Sequence, residues 1–558
     1  MGDFNISTIV LSEPTNLCRT EAGLNSDRNK PQQHVPQPPP TSSADDCQER
    51  EYSSSPGSCY PRWRGKPIYH GNGEVLGWAL FSIGSQVQFI GAGAFLSTAL
   101  LRLAKEAAGC ATVPPPGSNT VPSCDARVYG IRPSSLLTTY TIVVGILSAS
   151  CLPLMGALVD YTSHRRLIGR GLAIVYCILL FPQIFIGEST WFAVAILQIV
   201  IAFIGWAQTM ITYAYLPELT DSEERLNGYT QSFTVLSYGS MVIYLVVVIG
   251  AASIAGMGSN DIFTARLGQS ISCAICCVTL FLAWGLLLQK RPALRELPTD
   301  RSLWSAGFVQ VFQTSLHINR SYSALKWFLI SVCLVDASIN ALATVAITYF
   351  TTRLAFTSQE NGIAIVLMLT GSIPGAYAAG WTTRRFNPII SAIAATFVLA
   401  VTTIVAAIIL KQPGQQLQTF ILAVVWGVGT GWRWTTDRLL VSTIIPSGQD
   451  AELMGVYLFA GQVLTWLPPL IFTVINEQGI DERVGVGTLS IYFVLGIVAL
   501  LCMGNYQKAV EVAGRSELLQ QNNVDSDEAA SNTAETHANN DSQSSHILDE
   551  QAVSLCEE

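Results

Sequence analysis

The 558-residue sequence is poor in charge: Asp, Glu, Lys and Arg make up 13% of it, against about 25% in an average soluble domain. It has only six histidines, and no His/Cys cluster shows zinc-ligand spacing. A Walker loop and a nucleophile elbow are also missing. ATP-driven transport and intramembrane metallo-hydrolysis therefore lack support, and neither cofactor nor metal is expected. No signal peptide shows, because the apolar stretch Ile6 to Leu11 is too short and lacks a basic flank. The Met1-Gly2 start carries Ile6 where myristoylation requires Ser or Thr, and no prenylation box closes the chain. The 13 cysteines are scattered mostly through apolar runs and make no disulfide scaffold. Cys110 and Cys124 share one loop, where they read as a disulfide or as two free thiols. A net charge of -8 argues against nucleic acid as a partner.

Apolar residues are abundant. Half of the chain (50%) is hydrophobic and the mean hydropathy is +0.38, even though both ends are polar. A soluble protein of this composition would expose large apolar patches, so the lipid bilayer is the expected partner. About twelve runs are long enough to span ~30 Å as helices: 75–101, 134–158, 167–187, 190–214, 228–252 and 267–289, then 326–350, 361–382, 388–410, 418–440, 453–475 and 486–504. The tenth carries Arg433, Asp437 and Arg438 and is the weakest. The expected organisation is a disordered cytosolic arm (1–70), a six-helix bundle (71–289), a cytosolic central loop (290–325), a second bundle (326–508) and an acidic disordered tail (509–558). Lys and Arg concentrate in the loops after spans two, six and eight, which places both termini in the cytosol. The sequon Asn319-Arg320-Ser321 would then face the cytosol, where it is irrelevant.

The two halves echo each other. Gly156 precedes Arg165-Arg166 by the same spacing as Gly375 precedes Arg384-Arg385. Likewise Pro217-x-x-x-Asp221-x-Glu223 returns as Pro446-x-x-x-Asp450-x-Glu452. A glycine lets helix ends approach; Asp160 can pair with an arginine or a helix N-terminus; the Arg pairs latch helix ends together or merely enforce topology. Ala379 stands where the first copy has Asp160, which weakens the second latch. Gly156, Asp160, Arg165 and Arg166 resemble the loop signature of the major facilitator superfamily, with departures at Tyr161 and Ser163. That resemblance implies an all-α membrane protein of two pseudo-symmetric six-helix bundles rocking around a central site lined by spans 1, 4, 7 and 10.

Polar groups inside a bilayer need a partner, water or a function. Asp336 lies near the middle of the seventh span, followed at i+4 steps by Asn340, Thr344 and Thr348. It could bind a substrate ammonium, carry a proton, or make a structural hydrogen bond. The first span offers Ser82, Gln86 and Gln88; the fourth offers Gln198, Trp206, Gln208, Thr209 and Thr212, as cavity wall or interhelical glue. In the tenth, Arg433 and Asp437 are one turn apart, an intrahelical ion pair or a releasable contact for a substrate carboxylate. The nearby Trp426, Trp432 and Trp434 read as an interfacial belt.

Three stretches narrow the resemblance: Glu74 to Ser82; Tyr215-Leu-Pro217-Glu218-Leu219 with Asn227-Gly228-Tyr229 and Tyr238-Gly239; and Ile445-Pro446-x-Gly448-x-x-x-Glu452-x-x-Gly455-x-Tyr457 followed by Thr465-Trp466-Leu467-Pro468-Pro469. Over roughly residues 70–508 the chain resembles the autophagy-related vacuolar effluxers. Thr436-Asp437-Arg438 and Pro468-Pro469 depart from that family's pattern. The resemblance implies export of neutral amino acids, leucine included, from the vacuole to the cytosol after autophagic degradation. Such a zwitterion needs an acceptor, a donor and an apolar pocket: Asp336 with Asn340, Gln86 or Arg433, and Trp206 beside Gln208. Proton-coupled export and uniport both fit. The alternatives are a facilitator for another small solute and a transport-dead scaffold that recruits partners through its tails.

Overall fold

A computed structural model describes residues 72–110, 124, 126–215, 219, 223–290, 303–444 and 450–511. The expected arm and tail lie outside these residues, as do most of the two acidic echo segments and the side chain of Asp160. Among the described residues there is no strand, only the isolated bridge between Val128 and Ile131. Lipid offers the backbone no hydrogen bonds, so apolar runs of this length must satisfy themselves as helices.

The first half comprises α1 (Asn72–Gly91), α2 (Ser97–Ala107), α3 (Leu136–Tyr161), α4 (Arg165–Leu180), α5 (Trp191–Tyr213), α6 (Glu223–Ile254) and α7 (Asp261–Leu280). A wider π-type turn at Ala92–Leu96 joins α1 and α2 into one rod, Gly73–Ala107. The second half comprises α9 (Ser323–Thr352), α10 (Ser358–Arg385), α11 (Pro388–Ile409), α12 (Gln416–Ile444), α13 (Asp450–Val463), α14 (Leu467–Glu477) and α15 (Glu482–Cys502). Between the halves the chain is not a plain loop, because Leu303–Ser321 forms α8. Gly307 of α8 lies so close to Pro153 of α3 that a side chain there would overlap its carbonyl.

Eleven helices among the described residues are long and apolar enough to cross a membrane. The expected twelfth, α12, has the length, 29 residues, but its polar middle keeps it below that apolarity. Its neighbours compensate. Gly371 and Gly375 of α10 meet the backbone of α12 at Val424 and Val428, and Gly427 and Gly431 of α12 meet Met368 and Ser372 of α10. Both helices thus carry the four-residue glycine spacing that lets membrane helices touch backbone to backbone. Trp432 Nε1 donates to Ser391 Oγ (2.9 Å) and Trp426 Nε1 to Thr403 Oγ1 (3.1 Å), both on α11. Trp426 is buried and Trp432 half-buried, and both turn their indole N–H towards α11.

At one end the halves are tied together. Asp261, at the start of α7 and 2% exposed, pairs with Arg102 Nε at 2.6 Å and accepts the Ser358 backbone N–H, also at 2.6 Å. Asn361 Nδ2 donates to Thr98 and Thr351 at 3.0 Å each. Asn476 Nδ2 donates to Ser134 and Ser135 at 2.7 Å each, and the Arg132 backbone N–H reaches Glu477 at 3.0 Å. The Cys110–Cys124 disulfide lies in the loop at this end. Across the opposite half of the molecule, Arg438 Nη1 donates to Thr234 Oγ1 at 3.0 Å.

Candidate functional site

Asp336 stands midway along α9 and remains partly exposed, as do Asn340 and Thr344, whereas Thr348 is buried. The i+4 stripe therefore stays open over two turns and closes at the third. Trp434 Nε1 donates to Asp336 Oδ1 at 3.3 Å, and a Cβ built on Gly461 of α13 would stand 3.1 Å from Oδ2. The absence of a side chain at 461 keeps that carboxylate oxygen reachable. Tyr238 of α6 stacks on Trp434 with centroids 6.5 Å apart and planes 19° from parallel. The carboxylate thus sits behind an aromatic pair that joins the two halves. In the sequence Tyr238, followed by Gly239, belongs to a family-like stretch and Trp434 to a tryptophan cluster, but no periodicity marks a contact between spans five and ten.

Arg433 and Asp437 sit deeper. Both side chains are fully buried and bond at 2.7 Å. Arg433 also donates to Thr396 (2.9 Å) on α11 and Ser331 (3.2 Å) on α9. Three partners on three helices engage all three guanidinium nitrogens, so the intrahelical pair is the arrangement found and Arg433 acts as a clamp. Asp437 Oδ1 has no hydrogen-bond partner among the described residues. Asp336 lies within electrostatic range of both members of the pair. Asp336, Arg433 and Asp437 thus form one charge cluster across α9 and α12.

The first half contributes less. Gln86 and Trp206 are partly exposed and make no hydrogen bond among the described residues. Gln208 is buried and turned towards α4, its Nε2 3.5 Å from the Gly169 carbonyl, which takes it out of any shared cavity. Gln88 pairs with Gln269 at 3.2 Å and Gln183 with Gln198 at 2.7 Å, both as glue inside the bundle. Of the expected latches, buried Arg165 donates to the Val159 carbonyl (2.7 Å) and Arg166 to the Gly285 carbonyl (3.0 Å). A Cβ added at Gly156 would meet nothing within 4 Å, unlike one at Gly375. Arg384 and Arg385 are exposed and make no hydrogen bond or ion pair among the described residues.

Two helical halves joined in this way have the fold of major facilitator-type transporters. The chain is similar to the nucleoside transporter NupG (TM-score 0.54, 13% identity, 77% of this chain and 100% of that one). It is also similar to the peptide transporter POT in complex with sulfate (0.52, 13%, 80% and 97%) and to a bacterial homologue of the iron transporter ferroportin in an inward-facing state (0.50, 14%, 78% and 98%). Comparison with curated proteins finds no match. Residues 71–513 match the family described as Vacuole effluxer Atg22 like, and the chain belongs to that family. It is a membrane transporter.

Proposed function

We propose that the protein exports neutral amino acids, leucine among them, from the vacuole to the cytosol after autophagic degradation, by alternating access and with both termini in the cytosol. The observation that carries this reading is the partly exposed carboxylate of Asp336 in mid-helix, with Asn340 one turn on. A neutral amino acid presents an ammonium, a carboxylate and an apolar side chain. Asp336 and Asn340 accept from the ammonium; the Gln86 amide donates to the carboxylate; Trp206 and Trp434 face the apolar part. Arg433, already clamped, fixes α12 rather than meeting the solute. Release of the tie around Asp261 and Asn361 would open the opposite side, as an inverted-repeat carrier requires.

The test is counterflow. Proteoliposomes holding the full chain and loaded with unlabelled neutral amino acids should accumulate labelled leucine, and Asp336→Asn should abolish the signal while keeping the fold. Accumulation of a sugar or organic acid in place of leucine would overturn the substrate assignment. Failure with every solute, by protein that is correctly folded, would overturn transport itself. Comparing acidic with neutral lumenal pH separates proton-coupled export from uniport.

A further inference from the structure

The second Arg-Arg pair has no role in the site. It closes α10, itself a membrane span over Ser358–Arg385, so both guanidinium groups stand at headgroup depth. Neither has a protein partner among the described residues, in contrast to Arg165 and Arg166 on the equivalent helix-end signature. Beside them an open groove runs along the outer face of α10, lined by Ala376, Tyr377, Gly380, Trp381, Arg384 and Arg385. Its floor is small residues, and a Cβ on Gly380 would meet nothing within 4 Å. One side is aromatic and strongly exposed: Tyr377 is 78% and Trp381 66% accessible. Phe386 stands edge-on to Trp381 at 6.4 Å.

We propose that this groove binds an anionic phospholipid, its phosphate on Arg384 and Arg385 and an acyl chain along Ala376 and Gly380, beside the row formed by the two aromatic rings. Charge complementarity selects the headgroup, because two unpaired guanidinium groups at a membrane surface attract an anionic phosphodiester and fit its oxygens in fork geometry. Position selects a lipid over a soluble phosphate ester, because Tyr377 and Trp381 lie one to two turns into the span, where only a chain-bearing ligand reaches both rings and guanidinium groups. Aromatic rings beside arginines at the end of an apolar helix also occur as simple interface anchors, but such anchors do not need the open notch at Gly380. The proposal is independent of the transported solute.

The test is native mass spectrometry of the full chain released from detergent, titrated with dioleoyl-phosphatidylserine or dioleoyl-phosphatidylcholine. The wild type should retain the serine lipid preferentially. Arg384→Gln with Arg385→Gln should lower that retention about thirty-fold, and either change alone about five-fold. Gly380→Leu should fill the notch and lower retention of both lipids while leaving the charge in place. Each variant should elute and unfold as the wild type does. Unchanged serine-lipid retention in the folded double variant, or in Gly380→Leu, overturns the proposal. Competition by chain-free glycerophosphoserine at equal concentration also overturns it, in favour of a soluble phosphate site.

Discussion

In the first half the Gly-to-Arg-Arg signature ends in protein: Arg165 is fully buried and Arg166 is bonded to the end of the sixth span, while the space beside Gly156 is open. In the second half the same spacing is used in reverse. Gly375 presses on the backbone of α12, and the arginines are left at the surface. The interiors differ in kind too. Amide pairs and glycines facing side chains, such as Gly84 against Thr279, hold the first bundle. A glycine seam and a buried ion pair hold the second. A repeated motif therefore fixes topology without fixing contacts. The half that keeps charges near the central space must also hold its helices rigidly enough to keep them paired.

Removing the clamp is the most damaging way to test that difference. Arg433→Ala strands Asp437 in a fully buried site, and an uncompensated buried charge costs about 3–5 kcal/mol. Gln88→Leu removes one neutral amide contact from the first half and should cost about 1 kcal/mol. Thermal unfolding of the two purified variants in one detergent measures the gap. Equal losses would show that the halves are not stabilised differently.

The glycine seam gives the next effect. In Gly427→Ala the new Cβ would overlap the Met368 carbonyl, and since backbone cannot swing aside, a loss of about 1–3 kcal/mol is expected. In Gly84→Ala the obstacle is the Thr279 hydroxyl, which can rotate, so the loss should stay below about 1 kcal/mol. The same thermal scan should rank the second-half glycine first.

How much of this could be read in advance follows from where the information resides. The positions of the spans, the weakness of the tenth and the mid-span placement of a carboxylate at Asp336 depend on local composition, which a sequence displays directly. The glycines at 371, 375, 427 and 431 are visible as spacing, but that α10 meets α12 through them is a tertiary fact. The same holds for Arg433: its pairing with Asp437 is local and legible, whereas the bonds to Thr396 and Ser331 that immobilise it come from two other helices. Gln208 misled because the fourth span is polar on more than one face, and period alone does not say which face looks inward. Helix α8 escaped notice because the central connection is basic and proline-containing, which reads as loop.

The ends of the halves sharpen the contrast further. Asp261 and Asp481 occupy matching positions, at the start of the sixth and of the twelfth span. Asp261 joins the two halves, so Asp261→Asn weakens a charge-assisted contact to Arg102 and another to the Ser358 N–H. A cost of about 1.5–3 kcal/mol is expected, borne by the tied state. Thiol labelling of Leu101→Cys, a buried position at this end that takes no part in the tie, should therefore speed up about ten-fold or more, each tenfold being 1.4 kcal/mol. Unchanged labelling would show that the tie lies elsewhere along the seam.

Asp481 should give the smallest effect, and one with a defined sign. Its carboxylate caps α15 through the Arg483 N–H (3.0 Å) and bonds the Arg483 guanidinium (2.6 Å), with Arg353 at 3.4 Å. Those hydrogen bonds from Arg483, aided by the Arg353 charge, hold its pKa below the ordinary carboxylate value. A depressed folded pKa contributes stability that is fully present above the unfolded value, about 3.9, and is lost as pH falls through the folded one. The contribution therefore survives mild acidification and disappears only in strong acid. Because the pair is partly open to solvent, screening keeps it below about 1 kcal/mol. Asp481→Asn should lower the unfolding temperature slightly at neutral pH and by nothing further in strong acid, where the wild type converges on it. A gap between wild type and variant that stayed as wide in strong acid as at neutral pH would show that the contribution does not come from the charge of this carboxylate.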